Sequence, residues 1–270
     1  MMGGMTASAD PREVLGRGAP PPACTTAYGK DPAQVYDVRL PAGMPGTPAP
    51  RVRGTVVVVH GGFWRASFDR AHAASQAQGF ADRGFHVAVI EYRRVGMAGG
   101  GYPGTLDDVA AALSAVRRDE RLPDPAVLVG HSAGGQLALW AAAQPWCAHL
   151  GGVVSLAGCV DLTLTARLDL GAGAAQAFLG GGPDQVPERY ARADPALLLP
   201  PRAPVHLLHG SDDVVVLPEV ARSYQAAAAR AGSSVTLEVL ADVGHFELID
   251  PLTLAFDRVV AAASAWSRPV

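Results

Sequence analysis

The spacing of apolar residues changes period several times along the chain. Thr55–Val59 ends in four consecutive valines. A β-branched run this short predicts a strand buried on both faces of a parallel sheet. Gln34–Leu40 (QVYDVRL) alternates apolar and polar positions and reads as a first strand. Phe68–Arg83 reads as a helix and His86–Glu91 (HVAVIE) as the next strand. Thr105–Arg118 follows as a helix, with Asp107 and Asp108 in its first turn, where carboxylates suit the helix dipole. Ala126–Val129 is a third buried strand and leads into an Ala/Leu-rich helix through Ala143. Gly152–Leu156, Val205–His209 and Thr236–Leu240 are further strands, with Tyr224–Ala231 helical between the last two. Asp250-Pro251 supplies a capping carboxylate and an N1 proline for a final helix towards Trp266.

Strands alternating with helices predict an α/β fold, a doubly wound, mostly parallel sheet covered on both faces. Residues 1–30 are rich in Gly, Pro, Ala and Ser and read as an N-terminal arm, partly flexible. Pro41–Pro50, with four prolines, reads as a turn-rich connection. Residues 31–270 then form a single domain, with 158–201 as a small insertion over the sheet. Ligands of such sheets bind at the carboxyl ends of the strands, so chemistry is sought there.

Composition narrows the function classes. Of 270 residues, 49% are hydrophobic and 17% charged, the reverse of a disordered chain. A net charge of −3 favours neither nucleic acid nor an anionic membrane as a partner. Three cysteines make no disulfide framework, and no apolar run suits a signal peptide or a membrane span, so a cytoplasmic location is expected. A homodimer is left open. The eight histidines show no HExxH or other close ligand spacing, so neither a metal nor an organic cofactor is assigned.

Four segments at predicted strand ends carry reactive groups. Gly130-His131-Ser132-Ala133-Gly134 lies between a buried strand and a helix-forming run. A turn that sharp needs small neighbours and leaves Ser132 Oγ exposed at a helix N-terminus. His60-Gly61-Gly62-Phe63-Trp64 follows Thr55–Val59; its glycines let backbone N–H groups approach a substrate. His60 itself reads as a core histidine that fixes the loop. Gly210-Ser211-Asp212-Asp213 offers two aspartates able to orient a histidine, Asp213 or its rival Asp212. Asp242-Val243-Gly244-His245-Phe246 places His245 on a loop, where a general base reaches a nucleophile on another strand. Ser132, Asp213 and His245 are the candidate catalytic residues, acting as nucleophile, orienting acid and base.

From about residue 34 onward the sequence resembles the α/β-hydrolase superfamily, whose triad runs in the order serine, acid, histidine. His60–Trp64 is similar to the His-Gly-Gly-x-Trp element of kynurenine formamidases (arylformamidases). It is similar also to the His-Gly-Gly-Gly loop of hormone-sensitive-lipase-like esterases. His209–Asp213 with Val216 matches the usual acid turn and favours Asp213; Leu217 stands where that pattern has proline. The resemblance implies backbone oxyanion donors at Gly62, Phe63 and Ala133, with Tyr92 and Arg93 buttressing the oxyanion loop. It implies an α/β-hydrolase fold with 158–201 as a small lid; either Phe178, before Gly180-Gly181-Gly182, covers the pocket on a mobile hinge, or the segment is a packed helical insertion without gating. Trp64, His131, Phe178 and Phe246 are the candidate pocket residues. The implied activity is serine hydrolysis of small-acyl esters or N-formyl aryl amides, with kynurenine formamidase proper as the alternative. A non-catalytic ligand receptor on the same fold is the remote one.

Overall fold

The computed structural model describes residues 10–41 and 52–266. The turn-rich connection expected at Pro41–Pro50 lies outside the described residues except for Pro41.

Eight strands form one sheet: β1 (Cys24–Ala27), β2 (Val35–Arg39), β3 (Thr55–Val59), β4 (His86–Ile90), β5 (Ala126–His131), β6 (Gly152–Leu156), β7 (Val205–Gly210) and β8 (Thr236–Leu240). Their spatial order is β1-β2-β4-β3-β5-β6-β7-β8. β1 and β2 run antiparallel and every pairing from β4 to β8 is parallel. The helices are α1 (Glu13–Gly16), α2 (Ala74–Asp82), α3 (Gly104–Arg117), α4 (Ala133–Ala142), α5 (Leu162–Arg167), α6 (Ala174–Leu179), α7 (Pro187–Ala193), α8 (Pro218–Arg230) and α9 (Leu254–Ser264).

All five residues of β3 are buried, as a strand covered on both faces requires. Successive side chains leave a strand on opposite faces, and the core divides accordingly. Val57 and Val59 belong to one apolar cluster with Leu113 of α3, Leu137 of α4 and Val220 of α8 on one side. Val56 and Val58 meet Phe80 of α2 and Phe256 of α9 on the other. The chain goes from β3 outward to β4 and then returns past β3 to β5. Consecutive connections leave in opposite directions there, and the crevice opens beyond the carboxyl ends of β3 and β5.

Three expectations are corrected. Val35–Arg39 is the second strand, because Cys24–Ala27 of the expected arm pairs with it at the sheet edge. Only alternate residues of β1 are half-buried, so its sequence carries little apolar signal. The helix read at Phe68–Arg83 opens as a 3₁₀ turn at Arg70–Ala73 before α2. The last helix starts at Leu254, capped by Thr253, whose Oγ1 accepts from Phe256 N at 3.2 Å. Asp250 accepts from Leu252 N and holds Arg17 instead. Pro251 packs against Gly79 of α2, where even a Cβ would lie 2.6 Å from the ring. No helix among the described residues is long and apolar enough to cross a membrane.

Thr253→Ala tests this cap. It should cost about 1 kcal/mol and lower Tm by roughly 2–4 °C in a chain of this size. A Tm within error of wild type would mean that Thr253 does not cap the helix.

Candidate active site

The turn that carries Ser132 is built from steric necessity. Ser132 joins β5 to α4 with φ 55° and ψ −120°, a conformation that L-residues rarely adopt. Its N–H donates to Leu156 O at 2.9 Å, which locks the turn to β6. Gly130 and Gly134 cannot carry side chains: a Cβ on the first would lie 2.2 Å from Gly134 O, and on the second 2.0 Å from Val59 O. β3, β5 and α4 thus meet with no space to spare, and Ser132 heads a ten-residue helix.

His245 follows β8 on a loop, and its Nδ1 lies 2.7 Å from Asp213 Oδ2. The other carboxylate oxygen, Oδ1, accepts from Val215 N at 2.8 Å and Val216 N at 2.9 Å. His209 Nε2, which donates to Val216 O, also stands 3.3 Å from Asp213 Oδ2. Burial pushes the Asp213 carboxyl up, but the hydrogen bonds from His209, His245 and Val216 together hold it well below the usual carboxylate range. Asp213 is therefore a fixed anion that orders one imidazole tautomer. Asp212, the rival, is exposed, and among the described residues its side chain bonds only with Ser211 Oγ. With Nδ1 engaged, His245 Nε2 makes no hydrogen bond among the described residues. Ser132 and His245 line the same cavity, of about 340 Å³.

The loop after β3 completes the cavity. Gly62, Phe63 and Trp64 all have positive φ, at 106°, 50° and 55°. A Cβ on Gly62 would lie 2.4 Å from Phe68 Cβ, so glycine is required there twice over. The amides of Gly62 and Phe63 donate to no acceptor among the described residues. Ala133 carries the first N–H of α4, which has no acceptor within the helix. Unengaged N–H groups beside a nucleophile are what stabilising an oxyanion needs.

One carboxylate braces this loop. Glu91, buried at the end of β4, accepts from His60 Nε2 at 2.9 Å, Tyr92 N at 2.9 Å and Arg70 N at 2.9 Å, and pairs with Arg94. The His60 ring stacks on Tyr92 with centroids 4.4 Å apart, and the Tyr92 hydroxyl donates to His60 O at 2.7 Å. Burial pushes Glu91 up, but the His60 hydrogen bond and charge, with Arg70 N–H and Arg94, hold it at about 2. The expected Tyr92–Arg93 buttress is half right. Arg93 turns away to Asp108, at 2.7 Å, and Arg94 takes its place. Glu91 and Arg94 were missed as site residues; a lone acid ending an apolar strand was the available signal.

The pocket residues divide. His131 and Phe246 line the cavity. His131 is buried, and burial with the neighbouring His245 holds its imidazole well below the ordinary histidine range. Its Nε2 donates to His245 O at 3.0 Å, tying the nucleophile turn to the histidine loop. Trp64 and Phe178 do not line it. Trp64 is 0% exposed, donates Nε1–H to Gln136 Oε1 at 3.0 Å and stacks on Phe178 at 4.8 Å. The positive φ of Trp64 turns its ring into the core, and Phe178 follows it there rather than closing over the pocket. The segment 158–201 touches the loop from behind: Gly171 lies against the Phe63 ring and its carbonyl accepts from Arg65. His72, Phe68, Val215, Arg12 and Leu15, none foreseen, complete the lining. Among the described residues, no cluster of His, Cys, Asp or Glu is placed to hold a metal ion.

A family model described as BD-FAE matches residues 37–227. No curated protein matches the chain. Among solved structures, a truncated carbohydrate esterase from gut microbiota superposes with a TM-score of 0.75 at 18% identity, over 90% of this chain and 96% of that one. Esterase B from Lactobacillus rhamnosis gives 0.73 at 16%, over 94% and 90%. A thermophilic esterase from Thermogutta terrifontis, with propionate bound, gives 0.68 at 22%, over 91% and 93%. At these identities the likeness shows the α/β-hydrolase fold.

The buried carboxylate gives a pH test. Glu91 sits near 2 when folded against an ordinary 4.5, so acidification protonates the unfolded chain first. Its contribution is present above about pH 4.5 and is lost as pH falls towards 2. Glu91→Gln should therefore be less stable than wild type in urea at pH 7, with the gap narrowing between pH 4.5 and 2. A gap independent of pH would contradict the assignment.

Proposed function

The chain belongs to the BD-FAE family, and from that premise we propose that it is a serine hydrolase cleaving small carboxylic esters. One observation carries the reading: His245, held by the buried Asp213 at 2.7 Å, lines one cavity with Ser132 and with Gly62 and Phe63, whose amides are unengaged. That three of the solved structures sharing its fold are esterases supports it.

The chemistry follows from the groups in place. Asp213 fixes the Nδ1–H tautomer of His245, so Nε2 is the lone pair that takes the Ser132 proton as Oγ attacks the ester carbonyl. Negative charge develops on the carbonyl oxygen, where the Gly62, Phe63 and Ala133 amides stabilise it. His245 then passes the proton to the leaving alcohol, and the same steps with water release the acid. Phe63, Phe68 and Phe246 give the cavity an apolar lining suited to a short acyl or aryl group.

An N-formyl aryl amide asks the same machinery to expel a poorer leaving group. The likeness to formamidases rests on the five-residue element His60–Trp64, whose Trp64 is packed in the core and does not line the cavity. The ester is therefore the better reading.

Two measurements test this. kcat/KM for p-nitrophenyl acetate should exceed that for N-formylkynurenine, with both lost in Ser132→Ala; a higher value for the formamide would reverse the assignment. Asp213→Asn should lower turnover by about 10⁴ with the fold intact, since the wrong tautomer is then held. Asp212→Asn should leave it close to wild type. Equal losses in both would remove Asp213 as the orienting acid.

A further inference from the structure

The cavity has one wall that comes from the chain ahead of the family match. Helix α1, a single turn, precedes the matched residues by some twenty positions, yet Arg12 and Leu15 line the cavity that holds Ser132 and His245. The turn is fixed on both sides of Leu15. Val14 is 1% exposed and belongs to the apolar cluster that includes Ala73, Ala77 and Phe80, with α1 packed on the 3₁₀ turn Arg70–Ala73. Arg17 forms a two-pronged ion pair with Asp250, its Nη2 at 3.0 Å from Oδ2. Asp250 lies five residues beyond His245 and ends the short 3₁₀ turn Glu247–Ile249.

From this we propose that α1 is a fixed wall of the ester site and that Leu15 sets the largest apolar group the site accepts. The inference rests on the ester-hydrolase reading and adds a size limit to it. Leu15 is half-buried and faces a space whose other apolar walls are Phe63, Phe68, Val215 and Phe246. A side chain held by a buried neighbour and an ion pair cannot swing aside without giving up one of them. A substrate one or two carbons too long therefore meets a wall rather than a yielding loop. Misfit by a single methylene in such a pocket is worth roughly 10-fold or more in kcat/KM. The wall acts on whichever part of the ester is apolar, the acyl chain or the alcohol.

The test is a pair of ester series on wild type, Leu15→Ala, Leu15→Phe and Arg17→Met. One series varies the acyl chain from acetate to octanoate on p-nitrophenol; the other varies the alcohol of an acetate from methyl to phenyl. In one series Leu15→Ala should raise the ratio of long to short kcat/KM about 10-fold, and Leu15→Phe should lower it. Arg17→Met, which frees the wall without altering its surface, should broaden the profile in the direction of Leu15→Ala. Unchanged profiles in all three variants overturn the inference while the ester reading stands. Absence of Ser132-dependent ester turnover in wild type overturns the reading and the inference together.

Discussion

Ser132 is held at φ 55° and ψ −120°, and the rest of the molecule is arranged so that it cannot relax. A conformation of this kind costs of order 1–3 kcal/mol and persists only where its surroundings leave no alternative. Those surroundings are three carbonyls and two hydrogen atoms. Gly130 and Gly134 place their Cα hydrogens where a methyl group would strike Gly134 O and Val59 O. The register of β5 between β3 and β6, with the Ser132 N–H on Leu156 O, removes the remaining freedom. The sheet thus fixes the serine, and α4 starts where its hydroxyl is presented.

Two buried carboxylates do for the surrounding loops what the glycines do for the serine. Asp213 takes hydrogen bonds from Val215, Val216 and His245, so one anion sets both the path of its own turn and the tautomer of His245. Glu91 gathers His60, Tyr92, Arg70 and Arg94, and through His60 fixes the start of the loop that carries the free amides of Gly62 and Phe63. Desolvating a carboxylate is costly unless its oxygens are saturated with donors. In both cases the donors are backbone and side-chain N–H groups already ordered by the fold. In the proposed reaction their effect would be preorganisation: charge appearing on a bound carbonyl would require no loop to move to meet it. His131 adds a third tie, from the residue before Ser132 to the carbonyl of His245.

Much of this was legible in the sequence where local pattern and environment agree. Thr55–Val59, Gly152–Leu156 and Thr236–Leu240 are strands at the limits their apolar pattern predicts. The order of Ser132, Asp213 and His245 placed all three at the carboxyl ends of strands, where they lie. What was illegible depends on partners far away in the chain. Asp250-Pro251 has the form of a helix start, but Arg17 and Gly79 claim both residues. Trp64 sits beside a pocket residue in sequence, and a backbone at positive φ sends its ring the other way. Phe178 looked free to cover the cavity because nothing in its own segment reveals the indole it stacks upon. Glu91 and the N-terminal turn escaped for the same reason. Their importance lies in contacts with His60, the turn Arg70–Ala73 and Asp250, which no window of sequence contains.

If the strained turn activates one hydroxyl above all the others, a probe that reacts only with activated hydroxyls will find it. Treating the protein with a fluorophosphonate and locating the adduct by tandem mass spectrometry of its proteolytic peptides asks that question directly. The account predicts a single phosphonylated residue, Ser132, with no adduct on Ser155 or Ser211 and none at all in Ser132→Ala. Labelling at another serine, or an unmodified Ser132 in folded protein, would contradict it.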